Sequence, residues 1–73
     1  MNYIDGRRVQ LLDRVLLYAE WPATIVAIIQ EGEFSSEYPR EKWEYLKEGL
    51  LLHDDKVGIV HFTDPIEDLT KID

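Results

Sequence analysis

Two histidines, two serines and 15 carboxylates are the first candidates in this 73-residue chain for acid–base, nucleophilic or metal chemistry. His53 and His61 flank a predicted hairpin turn. A two-residue turn at Asp55-Lys56 would pair His53 with Gly58 and His61 with Leu50. Side chains alternate along strands, so the two imidazoles would then face opposite sides of the sheet. A one-residue shift of register would change this. A metal site needs both rings on one face plus a carboxylate such as Asp54 or Asp64. Two hydrogen-bonding strand histidines are the simpler reading. Ser35 and Ser36 lie in an acidic loop without a glycine elbow, and there is no cysteine, so no nucleophile is set up. Gly6, Gly32, Gly49 and Gly58 are scattered and make no phosphate-cradling run. Carboxylates are numerous enough for an acid–base pair, but so short a chain has little room for a deep pocket beside a core. The residues point away from catalysis, a metal or a cofactor.

The aromatic residues are more informative. Trp21 lies in the first connection, and Phe34, Tyr38, Trp43 and Tyr45 lie in or beside the second. Large aromatic side chains beside charges anchor protein interfaces. A small domain also uses them to finish its core. Trp43 is assigned to the core, whereas Trp21, Phe34 and Tyr45 suit either role. The same segment holds Glu31, Glu33, Glu37, Glu41, Glu44 and Glu48, and Arg40, Lys42 and Lys47 offset only half of them. Plain solvation of a loop and helix explains such charge; a docking surface for a basic partner explains it together with the aromatic residues. The candidate partner-binding set is Trp21, Glu33, Phe34, Glu37, Tyr38, Glu41 and Tyr45.

The elements that would position these residues are short. The stretch from Val9 to Tyr18 reads as strand, with polar residues only at Gln10, Asp13 and Arg14. Pro22 has no N–H for a ladder, which predicts a turn or loop around Ala19–Pro22. The β-branched stretch Thr24–Ile29 is the surest strand. After Glu31-Gly32-Glu33 a loop leads to Pro39, which suits the first turn of a helix. Arg40–Glu48 then predicts about two helical turns, ended by Gly49 at the C′ position. Leu50–His53 and Val57–Phe62 form a predicted hairpin around Asp54-Asp55-Lys56. Asp64, Pro65 and Glu67 mark a helix start, after which only a short turn or a closing strand fits. The expected fold is mainly β: a small antiparallel SH3-like barrel of four to five strands, with one short helix in the connection before the third strand. An open sheet with a helix on one face is the alternative. Val15, Leu17, Ile25, Ile29, Leu51 and Val60 are expected in one core.

One domain, residues 1–73, accounts for the whole length. With 45% hydrophobic residues the chain can bury a core despite its 32% charged content. Fifteen acidic residues against 8 basic ones give a formal net charge of −7, which disfavours nucleic acid and anionic membranes as partners and suits a basic protein surface. Negative charge that only keeps the domain soluble is the competing reading. No apolar segment follows Arg7-Arg8 as in a signal peptide, and the longest apolar run, near Ala23–Ile29, is too short to span a bilayer. A cytoplasmic location is expected, and absent cysteine fits it.

The segment from Glu31 to Pro39, the run Trp43-Glu44-Tyr45-Leu46 with Gly49, and Gly58 with His61-Phe62 and Asp64-Pro65 resemble a group of short acidic bacterial proteins. Asp5-Gly6, Val9, Asp13 and Val15 match as well. The resemblance covers nearly the whole chain, and its most specific part is the block from Tyr38 to Leu46, Tyr-Pro-x-x-x-Trp-x-Tyr-Leu. Several members look like immunity proteins of secreted antibacterial toxins. The resemblance therefore implies a small β domain that blocks a toxin by binding it. Trp21-Pro22-Ala23 departs from the pattern, where a glycine-containing turn is usual. A general SH3-like adaptor module that binds a peptide or a larger assembly is the other expectation.

Overall fold

The β-branched run forms the middle of the sheet. In the computed structural model, which describes residues 1–63 and 65–72, strand β2 (Trp21–Ile28) lies between β1 (Arg14–Leu17) and β4 (Leu50–Asp54). The two-residue β3 (Glu33–Phe34) also pairs with β2, at Ala27 and Ile28. β5 (Gly58–Phe62) flanks β4, and β6 (Leu69–Lys71) returns to flank β1. All pairings are antiparallel, in the order β5-β4-β2-β1-β6. Among the described residues the fold is thus mainly β with six strands in one sheet, not four or five, and the sheet is not closed into the expected barrel, since β5 and β6 stand at its two edges; β3 is too short to leave a pattern in the sequence.

A bulge decides which residues share a face. Ile25 pairs with Leu52, but Ala27 pairs with Leu51, so Val26 is an extra residue on β2. The alternation restarts there. Ile25 and Ile28, three apart, both enter the main core, with Tyr3, Val9, Val15, Leu17, Ala23, Leu50, Leu52, Phe62 and Leu69. Val26, Ala27, Ile29 and Leu51 face the other side and form a second cluster. The single core expected from the sequence is therefore two: Val15, Leu17 and Ile25, with half-buried Val60 against them, lie in one, and Ile29 and Leu51 in the other.

The first strand is shorter than its apolar composition predicts. Val9 is buried, but Leu12 has φ +70° and the chain turns before Arg14. Asp13 holds that turn: Oδ2 accepts from the Gln10 N–H at 3.0 Å and from the Tyr3 hydroxyl at 2.7 Å. Burial, and then the Asp13 carboxylate, push the Tyr3 hydroxyl well above the ordinary tyrosine range. Pro22, expected in a loop, lies in β2 opposite Leu16. Ile25 N–H donates to Asp13 O, so alternation aims position 22 away from β1 and toward β4, whose ladder starts only at Ala23↔Asp54. No ladder hydrogen bond is lost there. The connection between β1 and β2 is instead the tight turn Tyr18-Ala19-Glu20, closed by Glu20 N–H to Leu17 O at 3.1 Å.

The helical segment begins where Pro39 predicts but is shorter. α1 (Arg40–Trp43) is one turn, followed by a 3₁₀ turn, Glu44–Leu46. It stops at Lys47, with φ +66°, two residues before the expected Gly49. The hairpin of β4 and β5 turns through three residues, Asp55-Lys56-Val57. Asp54 Oδ1 accepts from the Lys56 N–H at 2.7 Å and the Val57 N–H at 3.2 Å. Asp64, read as an N-cap, falls outside the described residues. Pro65 precedes a 3₁₀ turn, Ile66–Asp68, that leads into β6. Among the described residues no helix is long and apolar enough to cross a membrane.

Candidate partner-binding surface

The second cluster explains how the connection from β3 to β4 is held. Phe34, Tyr38, Trp43 and Leu46 pack onto Val26, Ala27, Ile29 and Leu51. The Tyr38 and Trp43 rings meet at 5.9 Å with a tilt of 49°. The Arg40 guanidinium lies 5.1 Å from the Phe34 ring centre, and its Nη2 donates to Gly32 O at 2.7 Å. The one-turn helix is too short to be stable alone, so this apolar seat on the outer face of the sheet keeps the segment folded. Backbone bonds from Ser35 N–H to Val26 O and from Tyr38 N–H to Ser35 O, each 3.1 Å, fix its first half.

The sequence-predicted residues divide accordingly. Glu33 and Phe34 form β3. Glu33 lies 3.5 Å from Arg8 Nη2, and Glu31 is held by the same guanidinium and by the Met1 amine. Phe34 and Tyr38 are half-buried and serve the second cluster. Glu37, Glu41 and Tyr45 are exposed, Tyr45 by 68%. Glu44 and Glu48 of the same segment are exposed as well; Glu44 lies 4.0 Å from Arg40. Trp21 is not with this group. It alternates with Ala23 and Ile25, which face the main core, whereas the insert lies on the opposite face of β2.

The histidines change sides relative to expectation. The three-residue turn shifts the hairpin by one, pairing His53 with Ile59 and Leu51 with His61. Residues directly opposite share a face, so the two rings lie on the same side. His61 Nε2 donates to Glu48 O at 2.8 Å and so pins the end of the insert. His53 lines a shallow hollow of about 240 Å³ with Glu37, Tyr38, Leu12, Thr24 and Val26. Among the described residues no three His, Cys, Asp or Glu come together to hold a metal.

Trp21 belongs to a second place, at the end of the sheet where the β1–β2 turn and the β4–β5 hairpin meet. Leu17, Trp21, Asp54, Lys56, Val57 and Val60 line a cleft of about 270 Å³ there. Reasoning from sequence missed Tyr18 and Val57. The available signal was an aromatic residue at the start of a tight turn and another directly after it, and a β-branched residue in an otherwise polar turn. No family model, curated protein or solved structure matches this chain.

Proposed function

We propose that this chain is a non-catalytic protein-binding domain on an SH3-like barrel, and that residues 33–48 are its main binding face. The strand order supports the fold reading: a meander in which the last strand, entered through a 3₁₀ turn, returns to the first. The observation that carries the function is Tyr45. It is a large aromatic ring left outside, on a segment that also carries the exposed Glu37, Glu41, Glu44 and Glu48 and that Tyr38, Trp43 and Leu46 fasten to the sheet. A fastened segment loses little freedom when a partner docks, so its exposed groups are preorganised for binding. The acidic rim suits a basic protein surface. Together with the resemblance of the block from Tyr38 to Leu46, this favours an immunity protein that works in the cytoplasm and neutralises a toxin by covering it. The adaptor reading draws on the SH3-like reading of the fold alone and leaves the acidic residues unused.

The test is a pull-down from the native cell, with mass spectrometry of what co-purifies, followed by binding kinetics of variants. Glu37→Lys and Glu41→Lys should slow association, more so at low salt. Tyr45→Ala should speed dissociation by an amount worth about 2 kcal/mol. Phe34 is a poor choice because it supports the second cluster. Wild-type kinetics from all three variants would move the interface off this segment.

A further inference from the structure

We infer that the cleft at the meeting of the two turns takes one apolar side chain of a partner protein, from a segment that carries lysine or arginine beside it. This rests on the reading of the chain as a protein-binding domain, but uses the opposite face of β2 from the insert. Two of its lining residues are apolar and unusually exposed, Val57 by 75% and Trp21 by 40%, and Tyr18, itself 45% exposed, backs Trp21 from outside the lining. Tyr18 packs edge-on to Trp21, with centroids 6.0 Å apart and planes at 85°, and leans on Phe62 at 6.4 Å. The turn that presents these rings is strained. Tyr18 and Ala19 have φ +55° and +58°, a region that side chains other than glycine and asparagine seldom occupy. Glycine is the ordinary choice for such a turn and would relieve it. It would also delete the ring that packs against Trp21, a lining residue of the cleft.

Size and charge indicate the occupant. Pockets for whole small-molecule ligands begin at about 300 Å³, and this cleft of about 270 Å³ is open and apolar, suited to a side chain on a larger body. Glu20 lies in one turn, Asp54 and Asp55 in the other, and Asp68 behind Tyr18, whose N–H donates to Asp68 O at 2.7 Å. Among the described residues of the two turns Lys56, which lines the cleft, is the one basic residue, and Arg14 on β1 sits 3.5 Å from Asp55. The Asp54 carboxylate cannot turn away, because it closes the hairpin that carries Val57. Basic residues flanking the inserted side chain would meet this excess.

The probe is the capped peptide Lys-Lys-Leu-Lys-Lys, titrated into the isotope-labelled full chain and followed by NMR. Saturable shifts of the Trp21 indole N–H and of the Tyr18 and Val57 amides are expected. Replacing the central Leu by Ala should weaken binding about tenfold, from the apolar surface lost. Replacing Lys by Glu in the peptide should abolish it. On the protein, Val57→Lys and Tyr18→Gly should each weaken binding about tenfold. The second also relieves the turn, and Val57→Lys leaves the contact between Tyr18 and Phe62 in place. Shifts confined to Glu37, Glu41 and Tyr45 would overturn the cleft while leaving the binding-domain reading in place. Equal binding of the Leu and Ala peptides, or no saturable shift at Trp21, would also overturn it.

Discussion

Adding a single methyl group at Gly49 and at Gly58 separates two effects that glycine usually confounds. Both residues have positive φ, +83° and +88°. At Gly58 a Cβ meets nothing within 4 Å, so Gly58→Ala carries only the left-handed backbone penalty of about 1–2 kcal/mol, partly offset by a stiffer unfolded chain. At Gly49 the same Cβ would sit 2.4 Å from the Phe62 carbonyl oxygen and 3.0 Å from Thr63 Cγ2. Phe62 pairs with Leu50 and its ring is buried, so the backbone there has little room to retreat. Forcing extra volume into a packed site costs about 1–3 kcal/mol. Gly49→Ala should therefore lose about 2–4 kcal/mol and Gly58→Ala about 1 kcal/mol. A chain of this length has a total stability on the order of 4–11 kcal/mol. Urea unfolding, with a slope near 1 kcal/mol/M, should show the Gly49 midpoint falling by at least about 1 M more than the Gly58 midpoint. Losses equal within about 0.5 kcal/mol would refute the close packing of the insert's end against β5.

Ile25→Ala, in the main core, should cost about 2–5 kcal/mol in the same assay; a loss below about 0.5 kcal/mol would remove β2 from the centre of the fold. Ile29→Ala should also destabilise, but through the second cluster, so amide exchange should quicken in the insert before the β4–β5 hairpin. Trp43→Ala should act the same way and weaken partner binding without touching an exposed contact; unchanged exchange in residues 35–47 would count against the seat. Tyr3 gives a pH dependence. Its folded-state pKa is raised, so above its unfolded value of about 10 the native state holds a proton that the unfolded state has lost. Stability should fall as pH rises past about 10, and Tyr3→Phe should flatten that fall. An identical alkaline profile in the variant would dismiss the buried hydroxyl as its source.

Composition and local chemistry were enough for the class of fold, the surest strand, the site where the helix begins, the hairpin and the assignment of Trp43 to packing. These depend on neighbours in the chain: β-branched residues favour strands, Pro39 starts a helix, and an apolar run must be buried somewhere. Which face each residue occupies was not legible. One extra residue in a strand reverses the alternation, and Val26 is extra only because β4 pairs differently on its two sides. One extra residue in the hairpin turn likewise brought His53 and His61 to one side. Pro22 could sit in β2 because β4 ends before reaching it, a fact about a partner strand some 30 residues away. The same holds for the candidate site. Aromatic and acidic residues were visible as a set, but their division came from tertiary pairing: Phe34 and Tyr38 against the sheet, Tyr45 to solvent, and Trp21 across β2 beside Tyr18 and Val57. Residue types along a chain determine what must be buried and where it can turn; long-range register alone determines which side chains meet.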